Sequence, residues 1–204
     1  MNNRSLADTL CPGLILSIGK EAMPMAIYIA LLRGINVSGH KRIKMAELRT
    51  IFAKMGLQQV QTYIQSGNVL FVTEEEEAPL RQRIEQGILA ALDMQVTVIL
   101  RTASELERLI ADCPYPEDTS PGKVSLYAAF MTEAPAEEQL RRLPGGENEP
   151  DKFSPHGRDM YLLFDQSIRN SKLANQVTKL GVPSTTRNWN TVKKVSAIAQ
   201  AMTE

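Results

Sequence analysis

Ala26-Ile27-Tyr28-Ile29-Ala30-Leu31-Leu32 decides the fold. Seven aliphatic, β-branched and aromatic residues in a row have strand length, and Arg33-Gly34 with a polar loop containing Gly39 closes them. Ile27, Ile29 and Leu31 alternate with Tyr28, Ala30 and Leu32, so both faces are apolar and the strand is expected to be covered on both sides. Working outward, Met45, Leu48, Phe52 and Met55 recur at three and four, which predicts an amphipathic helix that stops at Gly56. Residues 60–65 and 68–73 read as strands joined through Ser66-Gly67, a hairpin. After an acidic run, Pro79 opens a helix to about Leu92 with Leu80, Ile84, Ile88 and Leu92 on its stripe. Residues 96–100 are a further strand. Strand, helix, strand, strand, helix, strand is the split βαβ order, assigned here to residues 26–101.

Beyond it, residues 102–111 predict a connecting helix with Ser104 as a cap, ending before Cys113-Pro114-Tyr115-Pro116. The order then partly repeats. A strand at 123–131 is followed by a helix at 135–143, which Pro144-Gly145-Gly146 ends. A short segment near Lys152 comes next, then a strand at 158–164 and a helix at 171–180 stopped by Gly181. The last helix runs from about Asn188 to Met202. No sequence repeat links the halves, only an echo of element order. The expected class is α+β, two tandem α/β-plait (ferredoxin-like, split βαβ) subdomains, the second less regular. Residues 25–112 form the first with its connecting helix, and 113–204 the second. Residues 1–24 read as a disordered leader or an upstream start.

The composition is that of an ordinary globular chain: 204 residues, 43% hydrophobic and 23% charged. Twenty-three basic residues balance 23 acidic ones, so no global field draws nucleic acid or an anionic membrane. Two cysteines outside any metal spacing and two histidines argue against zinc and against a disulfide framework. No apolar segment reaches membrane-spanning length. A cytoplasmic setting fits this chain.

Residues with chemistry gather in three places. The loop Arg33-Gly34-Ile35-Asn36-Val37-Ser38-Gly39-His40-Lys41-Arg42 has the glycine spacing of a phosphate loop. His40 takes the lysine position and Lys41 the hydroxyl position, so Mg²⁺ lacks its ligand and a P-loop NTPase does not fit. What remains is a pair of glycines that free amides toward an anion, with Arg33, Lys41, Arg42 and Lys44 around them, or else a solvated basic loop. In Tyr63-Ile64-Gln65-Ser66-Gly67-Asn68-Val69, Asn68 either bonds its own backbone or presents an amide to a ligand.

The third place is Thr185-Thr186-Arg187-Asn188-Trp189-Asn190-Thr191, rich in donors and without a carboxylate. Thr185 or Thr186 suits a helix cap. Arg187, Asn190 and Lys194 then share one helical face, while Trp189, Val192, Ser196 and Ala199 turn inward with Val195 beside them. Arg169-Asn170-Ser171-Lys172 opens the preceding helix in the same style. Carboxylates are poorly set for acid–base work: Glu47 alone lies near the glycine loop, and Cys113 has no recognisable base partner. The candidate ligand-binding set is Arg33, Gly34, Asn36, Lys44, Ser66, Asn68, Lys172, Arg187, Asn188, Asn190 and Lys194. No metal site, cofactor motif or catalytic residue is assigned.

Five ordered motifs carry a family resemblance: Tyr28 through Val37, Lys44-Met45-Ala46-Glu47-Leu48, Thr62 through Val69, Ser171-Lys172-Leu173 and Thr185 through Thr191. From Ala26 to Ala201 the chain resembles the bacterial family catalogued as domain of unknown function 1697. It departs at Ser38 and Lys41, where glycine and asparagine are expected. The resemblance implies two tandem α/β-plait subdomains and carries no activity or site residues.

Three functions are weighed. The first is binding of a small anionic ligand or nucleotide, whether by an enzyme or a binding protein. Its site would unite the Arg33 loop, the 66–68 turn and Arg187, which should then lie within a ligand's width of one another. The second is a nucleic-acid-binding plait, disfavoured because the third strand offers only Phe71 for stacking and because the first strand is apolar on both faces. The third is an oligomeric or regulatory protein without catalysis; the sequence gives no oligomeric state.

Overall fold

The computed structural model describes residues 25–37, 42–115, 125–144, 149–165 and 167–202. The leader, the loop 38–41 with His40 and Lys41, the proline-rich linker from 116 onward and Gly145-Gly146 lie outside these residues.

Two four-stranded antiparallel sheets organise the molecule. The first half runs β1 (Ala26–Leu32), α1 (Met45–Lys54), β2 (Gln58–Tyr63), β3 (Asn68–Thr73), α2 (Glu77–Leu92), β4 (Val98–Thr102) and α3 (Ala103–Ala111). The second runs β5 (Ser125–Met131), α4 (Glu137–Leu140), β6 (Lys152–His156), β7 (Asp159–Phe164), a 3₁₀ turn, α5 (Lys172–Val177), β8 (Ser184–Asn188) and α6 (Trp189–Ala201). The strand orders are β2-β3-β1-β4 and β6-β7-β5-β8, the same order in each half. The echo seen in the sequence is therefore a repeated path. Leu31 pairs Asn68 as Phe130 pairs Asp159, and Ile29 pairs Arg101 as Ala128 pairs Arg187.

The alternation in β1 explains the layering. Tyr28, Ala30 and Leu32 face α1 and α2, packing on Phe52, Phe71 and Ile84. Ile29 and Leu31 face the other way, into a central cluster with Leu106 and Leu109 of α3, Phe130, Tyr161, and Trp189, Val192 and Val195 of α6. A third cluster lies on the far face of the second sheet, where Met160, Leu162 and Phe164 meet Leu173 and Val177 of α5. Burial of each such side chain contributes about 1.5–3 kcal/mol. The central cluster draws on both halves. No helix among the described residues is long and apolar enough to cross a membrane.

Several element readings are corrected. Residues 184–188 are a strand, pairing Ser184 to Met131 and Asn188 to Tyr127, so neither Thr185 nor Thr186 caps a helix. Asn188 caps α6, accepting from the Asn190 amide at 3.0 Å. Arg187 therefore does not share a helical face with Asn190 and Lys194. The fourth strand of the first sheet is two residues later than expected, bringing Arg101 into the sheet. Thr102, not Ser104, caps α3 and forms a capping box with Glu105. The helix expected at 135–143 is a single turn.

Candidate functional site

Arg187 organises the place where the sequence motifs meet. It is the penultimate residue of β8, and its guanidinium crosses the seam into the first half, 7% exposed. Nε donates to Asn68 Oδ1 at 2.7 Å. One terminal nitrogen donates to Thr185 Oγ1 at 2.7 Å and to the Thr186 carbonyl at 3.0 Å. The other reaches the carbonyls of Leu32 at 3.0 Å and Ser66 at 2.9 Å. All five N–H groups thus find an oxygen, and every one of those oxygens is uncharged. Burial lowers the guanidinium pKa to about 10, so it is charged at neutral pH.

The first half supplies those oxygens from two loops. Asn68, fully buried at the start of β3, donates its amide to the Tyr63 carbonyl and to Ser66 Oγ, both at 3.0 Å, which fixes the hairpin. Asn36 sits in the left-handed region (φ 55°) and acts as a staple. Its amide donates to the Ile43 carbonyl at 3.0 Å and to the Gln65 carbonyl at 2.8 Å, and its oxygen accepts the Ile43 amide at 2.8 Å. It closes its own loop and ties that loop to the hairpin. Gly34 (φ 67°), Ile64 (φ 49°) and Gly67 (φ 74°) occupy the same left-handed region in these loops. For Ile64, β-branched and half exposed, that conformation is costly.

A groove of about 760 Å³ opens beside this knot, lined by Asn36, Arg42, Ile43, Lys44, Met45, Ala46, Glu47 and Gln65. Two cations face one carboxylate there. Lys44 is the N-cap residue of α1 and provides no side-chain cap, so the helix's positive end abuts the groove without a side-chain acceptor. A groove of about 690 Å³ along α2 and the start of β4, lined by Gln82, Glu85, Gln86, Leu89, Gln95, Val96 and Thr97, has no cation among its lining residues.

The candidate residues divide into four groups. Ser66, Asn68 and Arg187 touch directly, and Asn36 joins them through the hairpin. Arg33 and Gly34 are exposed at the end of β1, and Lys44 lines the groove. Lys172 faces a separate groove of about 520 Å³ with Arg142, Asn175 and Gln176. Asn188, Asn190 and Lys194 are exposed at and along α6. Trp189 is 5% exposed, edge-on to Tyr161 at 5.9 Å, its indole N–H without a partner among the described residues.

Sequence reading missed Arg101, the counterpart of Arg187 in β4. Arg101 is 1% exposed and bonds Asp159 Oδ1 at 2.6 Å and the Met131 carbonyl at 2.8 Å. Burial raises the Asp159 carboxyl, and the Arg101 guanidinium opposes that rise. Nearby, Arg158 bonds Glu77 and Glu105, which raises its pKa. The signal available was positional, an arginine one residue before a cap in both Arg101-Thr102 and Arg187-Asn188. Among the described residues no group of three or more His, Cys, Asp or Glu side chains could hold a metal ion.

A family model described as "Protein of unknown function (DUF1697)" matches residues 25–161, and the chain belongs to that family. The solved structure of conserved bacterial protein SP0830 from Streptococcus pneumoniae is similar to this one at a TM-score of 0.70 and 24% identity. That match covers 86% of this chain and 99% of the other, and it speaks to the fold alone. No curated protein matches the sequence.

Proposed function

We propose that this member of the family binds a small anionic ligand, phosphate- or carboxylate-bearing, in the groove lined by Asn36, residues 42–44, the start of α1 and Gln65 of the hairpin. One observation carries the reading: the loops that wall the groove are pinned from beneath by a charged guanidinium bonded only to neutral oxygens. Arg42 and Lys44 would supply direct charge-assisted contacts. Arg33, exposed at the end of β1, is a further candidate cation. Arg187 would act from below, since its own donors are taken. Asn188, Asn190, Lys194 and Lys172 remain outer candidates for the same anionic class. The reading is one of binding: among the described lining residues no acid–base or nucleophile pair is set together.

The identical strand order in both halves supports classing each as a split-βαβ plait, the subdomains being 25–112 and 113–204. Burial of both faces of β1 argues against an open stacking platform for RNA.

A thermal-shift panel of phosphorylated and carboxylated metabolites tests the reading. At about 100 Kd a ligand adds about 2.7 kcal/mol, a rise of roughly 5–10 °C for a chain this size. The double variant Arg42→Ala/Lys44→Ala should lose that rise while keeping its ligand-free midpoint. Equal shifts in both proteins would remove the groove from consideration.

A further inference from the structure

The two halves exchange arginines across their seam, and the two ends of the exchange differ in charge. Arg101 and Arg187 hold the same place, penultimate in the last strand of their halves. Each reaches the first residue of the other half's third strand (Asp159 or Asn68) and the last carbonyl of its first strand (Met131 or Leu32). The backbone around them repeats as well. Leu32 N donates to Gly67 O at 2.9 Å as Met131 N donates to Arg158 O at 3.0 Å, and Arg33 N meets Thr97 O as Thr132 N meets Pro183 O. The molecule thus contains its own control. At the Arg101 end the partner is a carboxylate, and Glu77 and Glu105 neutralise the adjoining Arg158. At the Arg187 end the equivalent partner is an amide, and no carboxylate among the described residues bonds the guanidinium.

We infer that Asn68 is the charge-setting residue of the proposed groove: by holding Arg187 without neutralising it, Asn68 gives this end of the seam a standing positive charge that selects multiply charged anions. The inference rests on the anion-binding reading above. The local chemistry favours this choice, since the Asn68 amide donates to the Tyr63 carbonyl and Ser66 Oγ. A carboxylate has no proton for the Tyr63 carbonyl, which only accepts. The hairpin therefore keeps an amide where the other end has Asp159, and the guanidinium charge has no counter-ion bonded to it among the described residues. A charge buried under the loops is screened less than a surface one, so it adds to the fields of Arg42 and Lys44.

The test uses the full chain and two probes, inorganic pyrophosphate and citrate, titrated calorimetrically at two NaCl concentrations. Asn68→Asp copies the neutralised end. Thr185→Asp neutralises Arg187 from the other side, through the position whose hydroxyl already accepts from it, and leaves the hairpin amide intact. Ala90→Glu adds the same net charge on the exposed face of α2. We expect Asn68→Asp and Thr185→Asp each to weaken binding on the order of tenfold and to flatten its salt dependence, with Ala90→Glu within about twofold of wild type. If one neutralising variant fails to fold, the other decides. Wild-type affinity and salt slope in a folded neutralising variant would overturn the inference while leaving the anion site standing. Absence of binding of both probes to wild type would overturn the anion site itself.

Discussion

A buried arginine that satisfies every donor is as much a clamp as a charge. Replacing Arg187 with alanine strands the carbonyls of Leu32, Ser66 and Thr186 and the Asn68 oxygen in a closed seam. Several unsatisfied acceptors together should cost about 3–5 kcal/mol, read as a lowered urea midpoint. A loss below about 1 kcal/mol would show that the seam admits water freely. Glu105 makes a second residue-level case. Burial acts to raise its carboxyl, but the Thr102 amide and the Arg158 guanidinium outweigh that, and its pKa lies below the ordinary 4.5. A lowered folded pKa is stability present above pH 4.5 and lost as pH falls through the folded value. Glu105→Gln should therefore be weaker than wild type by about 1–2 kcal/mol at pH 7 and show a flatter acid limb in denaturation against pH.

Among elements, the 64–67 hairpin is the most constrained. Gly67 has φ 74°, and a Cβ there would fall 2.6 Å from Ile35 Cδ1 and 2.9 Å from Leu32 Cβ. Gly67→Ala should destabilise by about 1–3 kcal/mol and increase amide exchange across residues 63–68, because the turn that offers the Ser66 carbonyl to Arg187 must shift. An unchanged midpoint would mean the turn relaxes elsewhere. Element by element, legibility followed apolar pattern. β1, β3 and the inward face of α6 were readable because aliphatic residues recur there at two or at three and four. β8 was not. Ser-Thr-Thr-Arg-Asn has no apolar alternation, its Thr side chains suit a cap as well as a strand, and the helix beginning at Trp189 absorbed it. A final strand before the last helix was nonetheless implied by the order β4 then α3. The motifs of the candidate site were legible as residues, but not their pairing: Arg187 and Asn68 are 119 positions apart, and nothing local announces that one saturates the other.

Over the whole molecule, the halves do not have separate interiors. Ile29, Leu70 and Leu106 share one cluster with Phe130, Tyr161 and Trp189, and α3 packs on α6. Both ends of the seam are hydrogen-bonded as well. Loss of either half exposes the apolar surface of the other, so unfolding should be a single transition. Far-UV circular dichroism and the slowest-exchanging amides of the two sheets should report one free energy; two resolved transitions would contradict the shared core.

The lone tryptophan gives the molecule a native optical probe. Trp189 follows directly on Asn188, the last residue of the strand that holds Arg187, and it is buried edge-on to Tyr161 where the two halves join. Its emission comes from one buried environment, and any separation of the halves would hydrate that environment and shift the emission to longer wavelength. The seam can therefore be watched in the unlabelled protein, at nanomolar concentration and in real time.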